Sequence, residues 1–237
     1  STDAGRPYFV MELVRGIPIT TYCDRERLPL RQRLELFVPI CRAVQHAHQK
    51  GIIHRDLKPS NILVTVSDGV ALPKIIDFGI AKALHAADAD QAGLTRGDQW
   101  IGTPAYMSPE QARPGSEDID TRSDVYSLGA LLYELVTGRT PLDGRGLLGG
   151  GMETLRQALL ELEPTQPSVR LARLTPAEAE LAARHRQTEP SKLRRQVAGD
   201  LDCIIMKCLA KDRGQRYATA NGLAMDLERH LNDEVIL

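Results

Sequence analysis

Residues 54–61 are His-Arg-Asp-Leu-Lys-Pro-Ser-Asn, and Asp-Phe-Gly follows at residues 77–79. Phosphoryl transfer relies on positioning and charge neutralisation. Its sites need an acid for the attacking hydroxyl, a cation beside the phosphoryl group and hard oxygen ligands for metal ions. The candidates for these roles, in chain order, are Asp56, Lys58, Asn61 and Asp77. Each residue alone is ordinary, but the pattern H-R-D-x-K-x-x-N, a short hairpin and D-F-G is highly specific.

Composition excludes several classes of function. The 237 residues allow one large domain or two small ones, and 30 basic against 31 acidic residues argue against a nucleic-acid or membrane-surface partner. The densest basic stretch, residues 192–195, is predicted to be an exposed helix face. The four cysteines form no metal-ligand pattern, and Cys41 and Cys203 are predicted to be core residues. No secretory signal or membrane-spanning run is visible, so a reducing cytoplasmic location is expected, either for the chain itself or as the cytoplasmic part of a larger protein.

The first half of the chain predicts a helix followed by a hairpin. An apolar stripe of alternating three- and four-residue steps begins at Leu30, and Gly51 is expected to end the helix. Pro39 lies within the stripe and should kink it, because proline removes one backbone hydrogen bond. Residues 62–64 and 74–76 are predicted to be short strands around a Ser-Asp-Gly turn.

The second half is predicted to be mainly helical. Residues 123–136 form a strongly apolar central helix, with Ser123 as its expected N-cap and Gly138 as its end. Residues 80–110 show no sustained period and are expected to form a long functional loop. Further helices are predicted over residues 152–162, 176–186, 201–210 and 221–231. The predicted architecture is a mainly α domain with one or two small β-hairpins near its N-terminal edge.

The motifs resemble those of the protein kinase superfamily, and specifically the bacterial serine/threonine kinases, from about Pro7 to the C-terminus. The resemblance implies an α+β kinase-like fold and transfer of the γ-phosphoryl group of ATP, with Mg²⁺, to a serine or threonine of a protein substrate. It makes residues 54–61 the catalytic loop, with Asp56 as base and Lys58 as phosphate contact. Asn61 and Asp77 become the magnesium ligands.

The same resemblance assigns structural roles to five residues. His54 and Phe78 would stack in the regulatory spine of the kinase. Asp124, at the start of the central helix, would bond the backbone of the catalytic loop, although a helix N-terminal acid also has a simpler stabilising role. Glu110 would form a partly buried scaffold pair with Arg216.

Residues 77–110 correspond to the activation segment of such a kinase. Its end, Gly-Thr-Pro-Ala-Tyr-Met-Ser-Pro-Glu, carries Ser108 where alanine is commoner in the family. Thr103 would face the substrate hydroxyl. Arg55 would pair with a phosphorylated Thr95 and so order the segment, although Thr95 is equally well an ordinary loop residue.

Residues 8–14 resemble the fifth strand and hinge of a kinase. Met11 would be the gatekeeper, and backbone groups of Glu12 and Val14 would meet the adenine edge. Leu63 would lie beneath the adenine ring. Without the downstream motifs, this run would indicate only a buried strand.

The upper half of a nucleotide site is not evident in the sequence. Only ten residues precede Met11, and the first lysine is Lys50, so a glycine-rich loop and a third-strand lysine are expected to be missing. Residues 144–149 match G-x-G-x-x-G, but they follow the catalytic loop and are predicted to be a connection. The whole chain is therefore expected to be one kinase-domain fragment, with the last small-lobe strand and hinge at residues 7–16 and the large lobe at residues 17–231.

Such a fragment would expose the upper face of the large lobe, which the missing small lobe or a partner would cover. The fragment is expected to be inactive without that lobe, so a non-catalytic, kinase-like binding or regulatory fragment remains an alternative. Small-molecule phosphotransferases share part of the catalytic-loop motif, but D-F-G, S-P-E and Arg216 disfavour them. The coding sequence upstream of Ser1 would discriminate between a trimmed enzyme and a regulatory fragment.

Overall fold

A helix-rich body carries a small antiparallel sheet in the computed structural model, which describes residues 12–78, 104–113, 119–142 and 151–237. The strands are β1 (Ile17–Pro18), β2 (Ile62–Ser67) and β3 (Val70–Ile75). The helices are α1 (Ile19–Arg25), α2 (Leu30–Gln49), α3 (Thr121–Thr137), α4 (Gly151–Glu161), α5 (Pro167–Ala172), α6 (Pro176–Arg184), α7 (Pro190–Val197), α8 (Asp200–Cys208) and α9 (Ala220–Leu231). This is the predicted mainly α architecture with a small β-hairpin.

The sheet confirms the predicted hairpin. β2 and β3 pair antiparallel, from Ile62 opposite Ile75 to Ser67 opposite Val70, and β1 pairs with the other edge of β2. The connecting Asp68 and Gly69 have φ of +51° and +76°, as expected of a two-residue turn that matches the twist of its strands. The predicted strand at residues 8–14 is not a strand over residues 12–14, and its earlier residues lie outside the described ranges.

Helix α2 follows the predicted apolar stripe. It continues through Pro39, which lies on the exposed side of the helix, and it ends before Gly51. Gly51 has φ of +74°, a conformation that costs glycine little, so the predicted helix end is confirmed. The buried side of α2 packs mainly against α9, β3 and α3.

Helix α3 is the centre of the body, and nearly all of its side chains are buried. Its N-cap is Asp120, whose carboxylate accepts the Arg122 backbone N–H at 2.7 Å, so the prediction of Ser123 as N-cap was wrong. Ser123 lies in the first turn, and its hydroxyl donates to Glu110 and does not cap the helix. Gly138 ends the helix with φ of +78°, as predicted. Gly129 allows α8 to approach, because a Cβ there would lie 2.4 Å from the Cβ of Cys208.

Two buried arginines converge on the C-terminal end of α3. Arg33 and Arg186 are 1% and 2% exposed, and both donate to the carbonyl of Leu135. Terminal helix carbonyls carry partial negative charge, which favours guanidinium groups at this position. Arg33 also pairs with Asp24 at 2.7 Å, and burial lowers the pKa of Arg186 to about 9. Further acceptors for Arg33 are the carbonyls of Cys23, Leu28 and His185.

Several local predictions need correction. Helices α1 and α5 were not predicted, and α7 was expected only as the exposed helix face at residues 192–195, since these helices are short and carry few apolar positions. Proline precedes α1 and occupies the first turn of α5 and α7, where its missing N–H is tolerated. Cys41 is buried as predicted, but Cys203 is exposed, because it lies on the outer face of α8. Residues 192, 194 and 195 are exposed on α7, as predicted. Within the described ranges, no helix is long and apolar enough to cross a bilayer.

Candidate active site

The loop between α2 and β2 brings three predicted site residues into direct contact. The Asn61 amide nitrogen donates to the Asp56 carbonyl at 2.8 Å and to its Oδ2 at 3.1 Å. Lys58 Nζ lies 2.9 Å from the same Oδ2. The side chains of Asp56 and Lys58 are about one-fifth exposed, so the carboxylate is held by neighbours and still reaches solvent. Arg55, just before Asp56, has φ of +65°, which is uncommon outside glycine.

Asp124 anchors this loop from the first turn of α3. Its carboxylate accepts the backbone N–H groups of His54 and Arg55, both at 2.8 Å, as predicted. Nε2 of His48, on α2, lies 2.7 Å from the same carboxylate. Asp124 is fully buried, so these contacts replace the water that a buried carboxylate loses. His48 was not predicted, because its spacing in the sequence carries no signal of a contact with α3.

The segment after β3 is fastened to the same loop. The Ile76 backbone N–H donates to the Asn61 carbonyl at 2.9 Å, and His54 Nε2 lies 3.0 Å from the Ile76 carbonyl. Burial lowers the pKa of His54, so its neutral ring can donate that hydrogen bond. The predicted stacking is present, with the His54 and Phe78 rings 4.8 Å apart and tilted. Asp77 lies between Ile76 and Phe78, which make these contacts. Its side chain is exposed, and its φ is +55°.

Glu110 and Arg216 form the predicted ion pair across 106 residues of sequence. Two guanidinium nitrogens of Arg216 contact the two carboxylate oxygens at 2.7 and 2.8 Å. The Ser123 hydroxyl donates to Glu110 Oε1 at 2.7 Å. Burial alone would raise the pKa of Glu110, but the hydrogen bonds from Arg216 and Ser123 outweigh it and lower the pKa to about 2. The pair fixes the 3₁₀ turn Glu110–Ala112 against the start of α3.

A small cavity opens beside the Asp56 loop. Behind it, the Tyr106 hydroxyl donates to Glu134 Oε2 at 2.5 Å, and the Ser127 hydroxyl donates to the Tyr106 carbonyl at 2.8 Å. Burial raises the pKa of both Tyr106 and Glu134. None of these contacts was predicted from the sequence. The cavity is lined by Arg55, Asp56, Leu57, Lys58, Tyr106, Met107 and Ser127.

The predicted hinge residues lie near the sheet. Glu12 pairs with Lys74 of β3 at 2.7 Å, and Lys74 lies opposite Leu63 in the β2–β3 register. Val14 and Leu63 are half-buried. Gly16 allows the chain to run against β2, because a Cβ there would lie 2.8 Å from the Val64 carbonyl oxygen. The remaining site predictions, at Met11, Thr95 and Thr103, lie outside the described residues, as does the glycine-rich stretch at residues 144–149.

Comparison with known proteins identifies the family. The family model described as protein kinase domain matches residues 2–227. This chain belongs to the protein kinase family. The kinase is 38% identical over 224 residues to a probable serine/threonine-protein kinase of Corynebacterium efficiens, covering 94% of this chain and 29% of the relative. It is 37% identical over 235 residues to the serine/threonine-protein kinase PknB of Mycobacterium tuberculosis, covering 98% of this chain and 32% of the relative.

Solved structures show the same fold. The kinase domain of Mycobacterium tuberculosis PknI, in a double-mutant form, matches with a TM-score of 0.61 at 22% identity, covering 93% of this chain and 65% of that one. A PknI kinase-domain structure without those mutations matches with a TM-score of 0.56 at 22% identity, covering 93% and 64%. The kinase chain therefore spans about 30% of the length of its curated relatives and about two thirds of the PknI kinase-domain chain.

Proposed function

We propose that this kinase transfers the γ-phosphoryl group of ATP to serine or threonine residues of proteins. The observation that carries the proposal is the contact of Lys58 and Asn61 with one carboxylate oxygen of Asp56. A carboxylate held in this way is oriented to accept the proton of an attacking hydroxyl. Lys58 places a positive charge beside the oxygen, where the transferred phosphoryl group would pass.

Asn61 and Asp77 would hold magnesium in this proposal. The Asn61 nitrogen faces Asp56, which turns its amide oxygen, a hard ligand, to the other side. Asp77 is exposed and follows Ile76, which is bonded to the Asn61 backbone. In the part of the chain that the structure describes, acidic, histidine and cysteine side chains form no group of three that could hold a metal ion, so the proposed site combines an amide oxygen with a carboxylate. One amide and one carboxylate fit Mg²⁺, which keeps waters and phosphate oxygens as its other ligands and neutralises charge on the phosphates.

The proposed adenine site lies at the sheet. Leu63 would support the ring from below, and backbone groups of Glu12 and Val14 would meet its edge, beside Met11. The contact between Glu12 and Lys74, which lies opposite Leu63, supports this placement. Apolar contact from one side and backbone hydrogen bonds along an edge are typical of small-molecule sites.

We further propose that the glycine-rich loop and the phosphate-binding lysine of the upper lobe lie outside residues 1–237. The first lysine of this sequence, Lys50, is the residue after the last turn of α2 and cannot occupy a small-lobe strand. The 237 residues alone would then bind ATP weakly and transfer little phosphate. The position of the first lysine at residue 50 is also the observation that favours the second candidate function, a non-catalytic kinase-like regulatory domain.

Phosphate transfer by the full-length gene product tests the proposal. Asp56→Asn should lower kcat toward a generic serine/threonine peptide mixture by about 10³-fold, because the general base is lost. Asp68→Asn is the matched control, since Asp68 lies in the exposed β2–β3 turn and asparagine tolerates its positive φ. Full activity of Asp56→Asn would refute the assignment. A wild-type protein that neither binds Mg²⁺–ATP nor transfers phosphate would instead support the regulatory function.

A phosphorylation switch at Thr95 forms the last part of the proposal. Arg55 lines the cavity beside Asp56 and would pair with phosphate on Thr95, while Thr103 would contact the substrate hydroxyl. If Thr95→Ala left the autoactivation of the full-length protein unchanged, the switch would be refuted. Thr219→Ala, an N-cap change on α9, is a control that should leave autoactivation intact.

A further inference from the structure

The side chain of Gln111 uses both ends of its amide to join two parts of the active site. Its Nε2 donates to the backbone carbonyl of Arg55 at 2.8 Å. Its Oε1 accepts the Ser108 backbone N–H at 3.1 Å and the Ser108 hydroxyl at 3.0 Å. Ser108 is fully buried, and in the described contacts its hydroxyl donates to Gln111. Two donors on one amide oxygen fix which end of Gln111 faces Arg55.

Gln111 completes the restraint on an unusual backbone position. Arg55 has φ of +65°, and its backbone N–H is already held by Asp124 at 2.8 Å. The Gln111 bond holds its carbonyl, so both peptide groups of Arg55 are fixed by side chains from other segments. The second of these peptide groups continues directly into Asp56. A left-handed residue persists where its surroundings determine it, and such positions cluster at active sites.

The support behind Gln111 is rigid as well. The neighbouring Glu110 is bound through both carboxylate oxygens to the buried Arg216. The backbone that carries Gln111 is therefore anchored to the body of the domain. A displacement of the 108–112 segment would be transmitted to the Arg55 carbonyl through one amide.

We propose that Gln111 is a positioning residue for Asp56 and that Ser108 orients its amide. The inference rests on the proposed kinase function, because its readout is phosphate transfer. It assigns a purpose to the Ser108 hydroxyl, which is the second donor to the Gln111 amide oxygen. With alanine at residue 108, the backbone N–H would still orient the Gln111 oxygen, but through one donor instead of two.

Gln111→Glu in the full-length protein is the sharpest test. The carboxylate retains an acceptor for Ser108 but places a second oxygen against the Arg55 carbonyl, so the loop before Asp56 should shift. We expect kcat to fall about tenfold while the KM for ATP stays within about twofold, because small misplacements at a reacting group act on the chemical step. Ser108→Ala should lower kcat by a smaller factor, about two- to threefold, because the backbone N–H still donates to Gln111. Gln196→Glu, on the exposed face of α7, is the matched charge control.

ATP-binding stoichiometry and thermal unfolding separate positioning from folding. If kcat per ATP-binding site is unchanged in Gln111→Glu, the inference is refuted, even if the thermal midpoint falls. Should the charged variant fail to fold, Gln111→Met supplies the same comparison without repulsion, and a lowered kcat per binding site would support the inference. Inactivity of the wild-type protein would reject the proposed function and this inference together, whereas an active wild type with unaffected variants would reject the inference alone.

Discussion

The carboxylate of Asp124 lies 2.8 Å from the backbone nitrogen of Arg55, across 69 residues of sequence. The same carboxylate binds His54 and His48, so the buried start of α3 fixes both the end of α2 and the loop that carries Asp56. A helix that is buried on nearly all sides moves little relative to the core. The position of the proposed base is thus set by a helix that is buried on nearly all sides.

Asp124→Asn should damage both stability and activity. In the wild type, each carboxylate oxygen of Asp124 accepts a backbone N–H, from His54 or from Arg55. In the variant, the amide nitrogen would replace one of these oxygens, so one buried N–H would lose its acceptor. We expect the free energy of unfolding to fall by about 2–3 kcal/mol and kcat to fall at least about tenfold. Urea unfolding and peptide phosphorylation of the full-length protein measure the two effects. Asp120→Asn, at the N-cap of the same helix, should change neither appreciably, since asparagine caps helices as well as aspartate.

The Glu110–Arg216 pair should make the free energy of unfolding depend on pH in the acidic range. The pKa of Glu110 falls from its ordinary value of 4.5 to about 2 in the folded protein, so its contribution is fully present above pH 4.5 and is lost as the pH falls toward 2. At neutral pH the contribution is at most about 3 kcal/mol. The stability difference between wild type and Glu110→Gln, measured by urea unfolding, should shrink over this interval. A difference that stays constant from about pH 6 to about pH 3 would contradict the assignment.

Removing the buried Arg33 should cost more than removing an exposed arginine of the same helix. Arg33→Met would remove one donor from each of four backbone carbonyls, although Leu135 would keep Arg186, and it would remove the buried ion-pair partner of Asp24, so we expect a loss of about 3–5 kcal/mol. Arg31 is 62% exposed and pairs with Glu35 at 2.9 Å. Arg31→Met should therefore cost less than about 1 kcal/mol. Equal losses in thermal or urea unfolding would show that the buried contacts contribute little.

Gly129→Ala should separate α3 from α8. The added methyl group would lie 2.4 Å from the Cβ of Cys208, a distance that requires the two helices to move apart. We expect a destabilisation of about 2–3 kcal/mol and a lower thermal midpoint. In Gly222→Ala, on α9, the added Cβ would lie 3.4 Å from its nearest neighbour, a ring carbon of Tyr217. The higher helix propensity of alanine should therefore at least offset this contact. A Gly129→Ala protein as stable as wild type would mean that the helices have room to relax.

The sequence predicted the parts of the site that depend on local spacing. The loop at residues 54–61, the hairpin and Phe78 follow each other within 25 residues, so their arrangement is built into the order of the motif. Family resemblance supplied the distant pair of Glu110 with Arg216 and the bond from Asp124. His48 and Gln111 were missed because each acts through one hydrogen bond to a segment more than 50 residues away. Polar residues on a helix or turn give no indication of such a partner.

The incorrect predictions of the fold have a similar origin. Ser123 and Asp120 are both good N-cap residues, but Asp120 caps α3 and the Ser123 hydroxyl donates to Glu110, a contact that the local sequence does not indicate. Cys203 and Cys208 lie on opposite faces of α8, and apolar neighbours surround both in the sequence. Short helices such as α5 and α7 have too few turns to show an apolar period, so tertiary packing determines them.

The convergence of Arg33 and Arg186 on Leu135 has a consequence for how this domain can be shortened or recombined. Residues 167–197 contain the short helices α5, α6 and α7. The segment carries Arg186, which donates to the Leu135 carbonyl of α3, and His185, whose carbonyl accepts from Arg33. A chimera that replaced it would leave Arg33 with fewer acceptors and Leu135 with fewer donors. Residues 167–197 are therefore an integral part of the core and cannot be exchanged as a separate module.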